Sequence, residues 1–510
     1  MPRNRPTKNV LFISADQWRA ECLSCLGHQV QTPHLDQLAA EGVLFRQHYT
    51  QIAPCGPART SLHTGLYAMN HRSILNGTPL AAHHTNVALA VRQAGYDPIL
   101  YGYTDTSPDP RSRGPQTDRN PSWNEPAFTD YGGIMPGYRE GMRFDHDIPL
   151  AWYAHLKRQG YTVPAPGLAI YEPDPTVVLP PTRGHSFAPP RYRAEDSDTA
   201  YTCDRVIDYL ESHPEGGWFI HAVFLRPHPP LYACEPYNSL YDPAQVDLPR
   251  RAGTPESTWQ QHPFLTYWGN SQRQPGYYTG HPLNVVDLPE SEVRQMRATY
   301  YGLITEVDHH LGRLMTYLKT TGQYDNTLII FTVDHGEQLG DQWLWGKGGY
   351  FDASYHIPLI IRAPGLASNH RVAAFTEAVD LMPTILNWLD LPIPITCDGH
   401  SLLPWLQGTL PESWRTAVHW EFDFRDPLHQ RRSAPSGWPV RPVPSMSGAI
   451  ATISWCISPI CRRCCLICAP IPRKQQTSRT SLSITANYSG SLNSYSHIGC
   501  ATVTAALPKC

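Results

Sequence analysis

The chain has 510 residues, 41% of them apolar, which suffices for a large α/β core with a smaller attached unit. A formal net charge of −3 gives no basic footprint for a nucleic-acid partner. Charged residues make up 17% and there are 50 prolines, so many irregular loops are expected.

In chain order, Asn9–Ala15 is a short apolar run that suits a strand buried on both faces, and it ends in Asp16-Gln17. Cys22 and Cys25 form a C-x-x-C without a second pair at zinc spacing, which reads as packing. Next comes Cys55-Gly56-Pro57-Ala58-Arg59-Thr60. Pro57 suits the first turn of a helix that Arg59 to Leu66 can continue, because proline lacks only an amide donor not needed there. Cys55 then sits at a helix N-terminus, where unpaired amides favour an anion such as sulfate, phosphate or phosphonate. Thr85 to Leu100 reads as a helix stopped by Gly95 and followed by a strand, with Tyr103 and Thr104 in the loop beyond.

Irregular sequence dominates from Ser107 to Pro190 and again from Leu231 to Pro289. Between them, Trp218–Leu225 reads as a third strand leading to His228, which has prolines on both sides. Glu292 to Thr320 keeps apolar residues at a three-or-four spacing and reads as a long helix ended by Gly322. The strand Thr327–Val333 follows and ends in Asp334-His335-Gly336-Glu337. Lys347 lies among three glycines, as expected where backbone approaches a ligand closely. This alternation predicts an α/β fold: a large, mostly parallel, mixed central sheet with helices on both faces.

Two buried strands thus each deliver a carboxylate at their carboxyl ends, the edge where open α/β sheets bind ligands. Hard oxygen ligands with one imidazole suit a single divalent metal ion, with Mn²⁺ the leading candidate and Ca²⁺ or Mg²⁺ the others. Attack on tetrahedral phosphorus or sulfur concentrates charge on the equatorial oxygens, which a cation and preorganised donors would stabilise. Arg59, Lys347, His228 and Asn76 are the candidate donors. Tyr103 and Thr104 either shape a substrate pocket or pack its wall.

The spacing Cys55-x-Pro57-x-Arg59 resembles the sulfatase signature. Residues 9 to about 425 resemble the sulfatase branch of the alkaline phosphatase superfamily, and within it the phosphonate monoester hydrolases. Longer segments carry the narrower likeness: Gly102-Tyr103-Thr104-Asp105-Thr106-Ser107-Pro108-Asp109, Phe224-Leu225-Arg226-Pro227-His228-Pro229-Pro230, Gly346-Lys347-Gly348-Gly349-Tyr350-Phe351-Asp352 and His419-Trp420-Glu421-Phe422-Asp423-Phe424-Arg425-Asp426. The resemblance implies an alkaline-phosphatase-like fold and a metal held by Asp16, modified Cys55, Asp334 and His335, with Gln17 nearby or ligating. Cys55 would be oxidised by a formylglycine-generating maturation system. One hydroxyl of the hydrated aldehyde would attack a small-molecule ester and the other would later expel the product. Arg59 would hold the oxidised side chain, and His228 or Lys347 would protonate the leaving oxygen. The implied activity is hydrolysis of phosphonate monoesters, phosphodiesters or sulfate esters; the alternatives are a metal-dependent phosphoesterase with unmodified Cys55 and an inactive product of a damaged gene.

The C-terminal part departs from this pattern. Residues 427–510 contain no Asp or Glu, although the chain has 44 acids, and they hold Cys456, Cys461, Cys464, Cys465, Cys468, Cys500 and Cys510. The expected organisation is a catalytic domain at 1–426 followed by a tail that is disordered or frame-shifted, the shift lying between about Gln430 and Trp455. Relatives carry a small C-terminal α/β unit that helps them form homo-oligomers; here it would be truncated or scrambled, which puts oligomerisation in doubt. Pro459, Arg462, Arg463 and Pro470 interrupt the tail's apolar stretch before it reaches the about 20 residues of a membrane span. No secretory h-region precedes Asn9, so a cytoplasmic location is expected.

Overall fold

The structure is a computed structural model that describes residues 7–109, 134–145, 148–276, 278, 281–422 and 455–456. Its strands, in chain order, are β1 Asn9–Asp16, β2 Val43–Tyr49, β3 Ile99–Gly102, β4 Arg139–Asp145, β5 Ile148–Pro149, β6 Phe219–Pro227, β7 Thr327–Val333, β8 His356–Arg362 and β9 His370–Glu377. They form one sheet in the order β5-β4-β3-β6-β1-β7-β8-β2-β9. Pairing is parallel from β4 through β3, β6 and β1 to β7. β8 runs antiparallel to both β7 and β2, so the sheet is mixed, as expected.

The continuous apolar sequences of β1, β6 and β7 follow from their position, since each is buried at every residue. The helix Glu290–Thr320 packs against β6 with Met296, Tyr300, Ile304, Val307, Leu314 and Leu318 fully buried. Glu290 and Glu292 occupy its first turn and Lys319 its last, each charge complementing the helix dipole. It begins two residues before the expected Glu292, immediately after Pro289. Gly322 follows its end with φ 71°.

Two expectations are corrected. The helix that starts at Cys55 closes at Thr64, not Leu66, because Gly65 turns left-handed (φ 67°) and donates its N–H to the Ser61 carbonyl. The stretch Ser107–Pro190 is not wholly irregular, since it supplies β4, β5 and the helix Leu150–Arg158. Its strand β4, next to the two-residue edge strand β5, reads Arg-Glu-Gly-Met-Arg-Phe-Asp and buries only Met142 and Phe144 among the residues whose exposure is described, which leaves little apolar signal.

The expected break between about Gln430 and Trp455 and the acid-free tail lie outside the described residues, apart from Trp455–Cys456. The backbone of Trp455–Cys456 pairs antiparallel with His419–Trp420. Asp423 to Asp426 of the last quoted segment likewise lie outside. Among the described residues no helix is long and apolar enough to cross a membrane, and Cys22 and Cys25 are free thiols.

Immediately beyond β7 the chain passes very close to its neighbour. The Gly336 N–H donates to the Ser354 carbonyl at 2.8 Å, and a Cβ on Gly336 would lie 2.0 Å from the Ala353 carbonyl oxygen. Gly336→Ala is therefore expected to cost about 1–3 kcal/mol through overpacking, read by urea unfolding; an unchanged midpoint would show that this contact yields freely.

Candidate active site

The site is built where β1 and β7 end side by side. Asp16 is the last residue of β1, and Gln17 then turns the chain at φ 67°. The Tyr300 hydroxyl of the long helix donates to the Gln17 carbonyl at 2.8 Å and accepts the Arg19 N–H at 3.1 Å, which pins that turn. Beyond β7, Asp334 Oδ1 accepts the N–H groups of His335 (2.8 Å) and Gln17 (3.1 Å), tying the two strand ends together.

Cys55 begins the facing helix, and one ligand atom from each of Asp16, Cys55, Asp334 and His335 lies within 4.8 Å of the others, all buried. His335 donates from Nδ1 to the Gly336 carbonyl at 3.0 Å. Its Nε2 lone pair therefore faces Cys55 Sγ at 3.1 Å, Asp334 Oδ2 at 3.7 Å and Asp16 Oδ1 at 3.8 Å. This cluster fits a metal site.

Arg59, one turn into the helix, bridges both carboxylates. Its Nη2 donates to Asp16 Oδ2 at 2.9 Å, its Nε to Asp334 Oδ2 at 3.1 Å and its Nη1 to the Tyr103 carbonyl at 2.7 Å. The guanidinium lies over the Tyr103 ring, 4.0 Å from the centroid, and the Tyr103 hydroxyl donates to Asp16 Oδ2 at 2.7 Å. In this arrangement Arg59 grips the carboxylates directly.

Burial opposes the ionised form of Asp16, but His228, Arg59, Lys347 and His335 outweigh it and hold the carboxyl well below its usual range. Burial pushes the Cys55 thiol well above the ordinary cysteine range; the Asp16 charge adds to this while Lys347 opposes it. Burial also lowers His335 to about 4, against the pull of Asp334, so at neutral pH it is an uncharged imidazole. For Lys347 burial works against the ammonium, and Cys55, Asp16 and Asp334 more than compensate, so the amine stays charged.

Lys347 reaches three groups through Nζ: Gln17 Oε1 at 2.8 Å, His228 Nε2 at 3.2 Å and Cys55 Sγ at 3.3 Å. His228 donates from Nδ1 to the Pro229 carbonyl at 2.7 Å, which leaves Nε2 to accept from the ammonium. The buried Arg226 guanidinium holds that loop by donating from Nη1 to the carbonyls of His228 (3.1 Å) and Pro230 (2.9 Å). Asn76 Oδ1 accepts the Gly56 N–H at 2.8 Å, so it presents an acceptor to the helix's first turn. Thr104 is fully buried and its hydroxyl accepts the Met135 N–H at 3.0 Å, as a wall residue would.

The structure thus gathers Asp16, Gln17, Cys55, Arg59, Tyr103, His228, Asp334, His335 and Lys347 in one bonded cluster, with Asn76 and Thr104 at its border. Glu337, two residues beyond His335, also joins the cluster, although nothing in the sequence assigns it a role. Its carboxylate is fully buried and accepts from Gln17 Nε2, and the spacing within Asp334-His335-Gly336-Glu337 was the only local signal.

The Sulfatase family pattern matches residues 8–391. The chain belongs to the sulfatase family. Within this family it is 42% identical over 434 residues to the multifunctional alkaline phosphatase superfamily protein PehA of Trinickia caryophylli, covering 83% of this chain and 82% of that protein. The phosphonate monoester hydrolase SpPMH from Silicibacter pomeroyi superposes with a TM-score of 0.75 at 44% identity, covering 84% of this chain and 82% of that one. The phosphonate monoester hydrolase of Agrobacterium radiobacter gives 0.75 at 42% identity, covering 83% and 82%. This sulfatase-family chain is an ester hydrolase with an alkaline-phosphatase-like sheet.

Removing Arg59 would leave two buried carboxylates without their shared counter-ion. Arg59→Ala is expected to lose about 3–5 kcal/mol of folding stability in chelator, measured by denaturant unfolding; a loss below about 1 kcal/mol, the scale of an exposed ion pair, would contradict this pairing.

Proposed function

We propose that this chain is a divalent-metal-dependent hydrolase of phosphonate monoesters, phosphodiesters and sulfate esters, with a formylglycine nucleophile made from Cys55. The observation carrying this reading is the convergence of Cys55 Sγ, two carboxylates and the His335 Nε2 lone pair within 4.8 Å, directly beside Lys347. Arg59 and Tyr103 satisfy Oδ2 of Asp16, while its Oδ1 faces Cys55 and His335. An acceptor-only imidazole edge aimed at carboxylate oxygens is repulsive unless a proton or cation lies between, so the donor set fits a hard divalent ion such as Mn²⁺. Bound by Asp16, Asp334, His335 and modified Cys55 with Gln17 Oε1 alongside, that ion would supply Lewis-acid stabilisation of the ester oxygens. Formylglycine would supply a geminal diol, with one hydroxyl to attack and the other to release the product.

The remaining chemistry belongs to the chain's own side chains. Arg59 and Tyr103 orient Asp16, and Arg59 also orients Asp334. The Lys347 ammonium stands where charge develops on the transferred group. The hydrogen bond between Lys347 Nζ and His228 Nε2 holds a proton at the mouth of the cluster, from which the leaving oxygen is protonated. The helix start at Cys55 adds its dipole to the attraction for an anion. Every one of these residues lies within 1–426, which we take as the catalytic unit. The relatives named phosphonate monoester hydrolase favour phosphonate monoesters and phosphodiesters first, with sulfate esters as companions.

Protein produced in a host able to make formylglycine is expected to carry a hydrazide-reactive aldehyde at Cys55, and Cys55→Ser to lose nearly all turnover. Metal-dependent turnover that persists in Cys55→Ser would instead establish an enzyme that uses the unmodified residue only for contact. His228→Ala is expected to lower kcat by about 10²–10⁴-fold on esters with alkyl leaving groups and far less on nitrophenyl esters, which leave without protonation. An equal loss on both would remove His228 from the acid role.

A further inference from the structure

Glu337 lies beside the cluster and takes four donors. Its Oε2 accepts from Gln17 Nε2 and from the Tyr278 hydroxyl at 3.2 Å. Its Oε1 accepts the backbone N–H groups of Leu339 at 2.8 Å and Gly346 at 2.6 Å. An ionised carboxylate has about four lone-pair sites and no donor, so Glu337 is filled and can only accept. The Gln17 amide must therefore turn its NH₂ group toward Glu337. Its Oε1 is then directed to the opposite side, where it meets Lys347 Nζ at 2.8 Å.

We propose that Glu337 is the positioning residue that locks the Gln17 carbonyl oxygen toward the divalent ion and fastens the Lys347 loop, through Gly346, to the end of β7. The inference rests on the metal-dependent reading above and assigns Gln17 a ligand's orientation. It also explains why a neutral side chain stands at position 17. A carboxylate there would face the Glu337 carboxylate across a buried contact with no proton between them, an unfavourable pairing in a site of low dielectric. The two residues are 320 positions apart, and each sets the chemistry allowed at the other.

In Glu337→Gln an amide replaces the carboxylate, and one of its edges must oppose an N–H to the donors already there. The mismatch is relieved when Gln17 turns over, which points its NH₂ group at Lys347 and the ion. The double exchange Q17E/E337Q restores the pairing with roles reversed: the new amide at 337 donates to the carboxylate at 17, its oxygen still accepts from Leu339 and Gly346, and the Tyr278 hydroxyl can turn to accept.

The test is titration of metal-stripped full-length protein with Mn²⁺ alone, by calorimetry, for wild type, Glu337→Gln, Gln17→Glu and the double exchange, with thermal unfolding of each. Glu337→Gln is expected to weaken Mn²⁺ binding by about 10–100-fold, and the double exchange to return it to within about threefold of wild type or tighter. Binding in a folded Glu337→Gln protein within about twofold of wild type would overturn the proposal, as would a double exchange no tighter than Glu337→Gln. Should Glu337→Gln fail to fold, the double exchange is compared with Gln17→Glu: tighter binding and a higher melting temperature support the pairing, and equal values overturn it. A wild-type protein that binds no Mn²⁺ would remove the metal reading itself, an outcome distinct from equal binding by wild type and variant.

Discussion

Two aspartates at the ends of adjacent buried strands, held by one guanidinium, are the constraint on which the rest of this structure depends. Unit charges about 4 Å apart repel by about 4 kcal/mol at an effective dielectric of 20. Arg59 touches both Asp16 and Asp334 and so offsets that penalty, with Tyr103 supporting Asp16 and two backbone N–H groups supporting Asp334. The arrangement is possible because Arg59 rises from a helix that begins at Cys55, so the proposed nucleophile and the residue that neutralises its surroundings share one rigid turn.

The sheet supplies the other half of the geometry. β1 lies between β6 and β7 and runs parallel to both, so the three chains leave the sheet on the same edge. Asp16, His228 and Asp334 follow from that topology as three consecutive exits. The switch to antiparallel pairing at β8 comes only after β7, so it does not disturb this edge. Arg226, still within β6, then fixes the His228 loop by binding two of its carbonyls, which leaves the ring little freedom to leave Lys347.

Charge is distributed unevenly across the site by burial. His335 stays neutral and offers a lone pair, Asp16 stays ionised, and Lys347 stays cationic. An uncharged acceptor nitrogen, ionised oxygens and a fixed cation beside them make a cluster that fits a metal ion. Glu337 lies on the far side of Gln17, so its negative charge is spent on four hydrogen bonds within the protein.

Much of this was legible in the amino-acid order. Strands buried on both faces must be continuous apolar runs, so β1, β6 and β7 declared themselves, and with them Asp16, His228 and Asp334. Helix-breaking and helix-starting residues are local too, which is why Cys55 could be placed at a helix start before any coordinates. β4 and β5, at one end of the sheet, leave little trace in the sequence, because β4 alternates charged residues with Met142 and Phe144 and β5 has only two residues. What Arg59 grips, which way Gln17 points and that Glu337 accepts from Gln17 were not legible, since each depends on a partner about 40 to more than 300 positions away. Sequence alone determined the periodicities, the nucleophile candidate and the family, because those are written in consecutive residues. Only the tertiary structure decided the hydrogen-bond partners of the buried polar groups, because a donor or acceptor removed from water is satisfied by whatever the fold brings within about 3 Å of it.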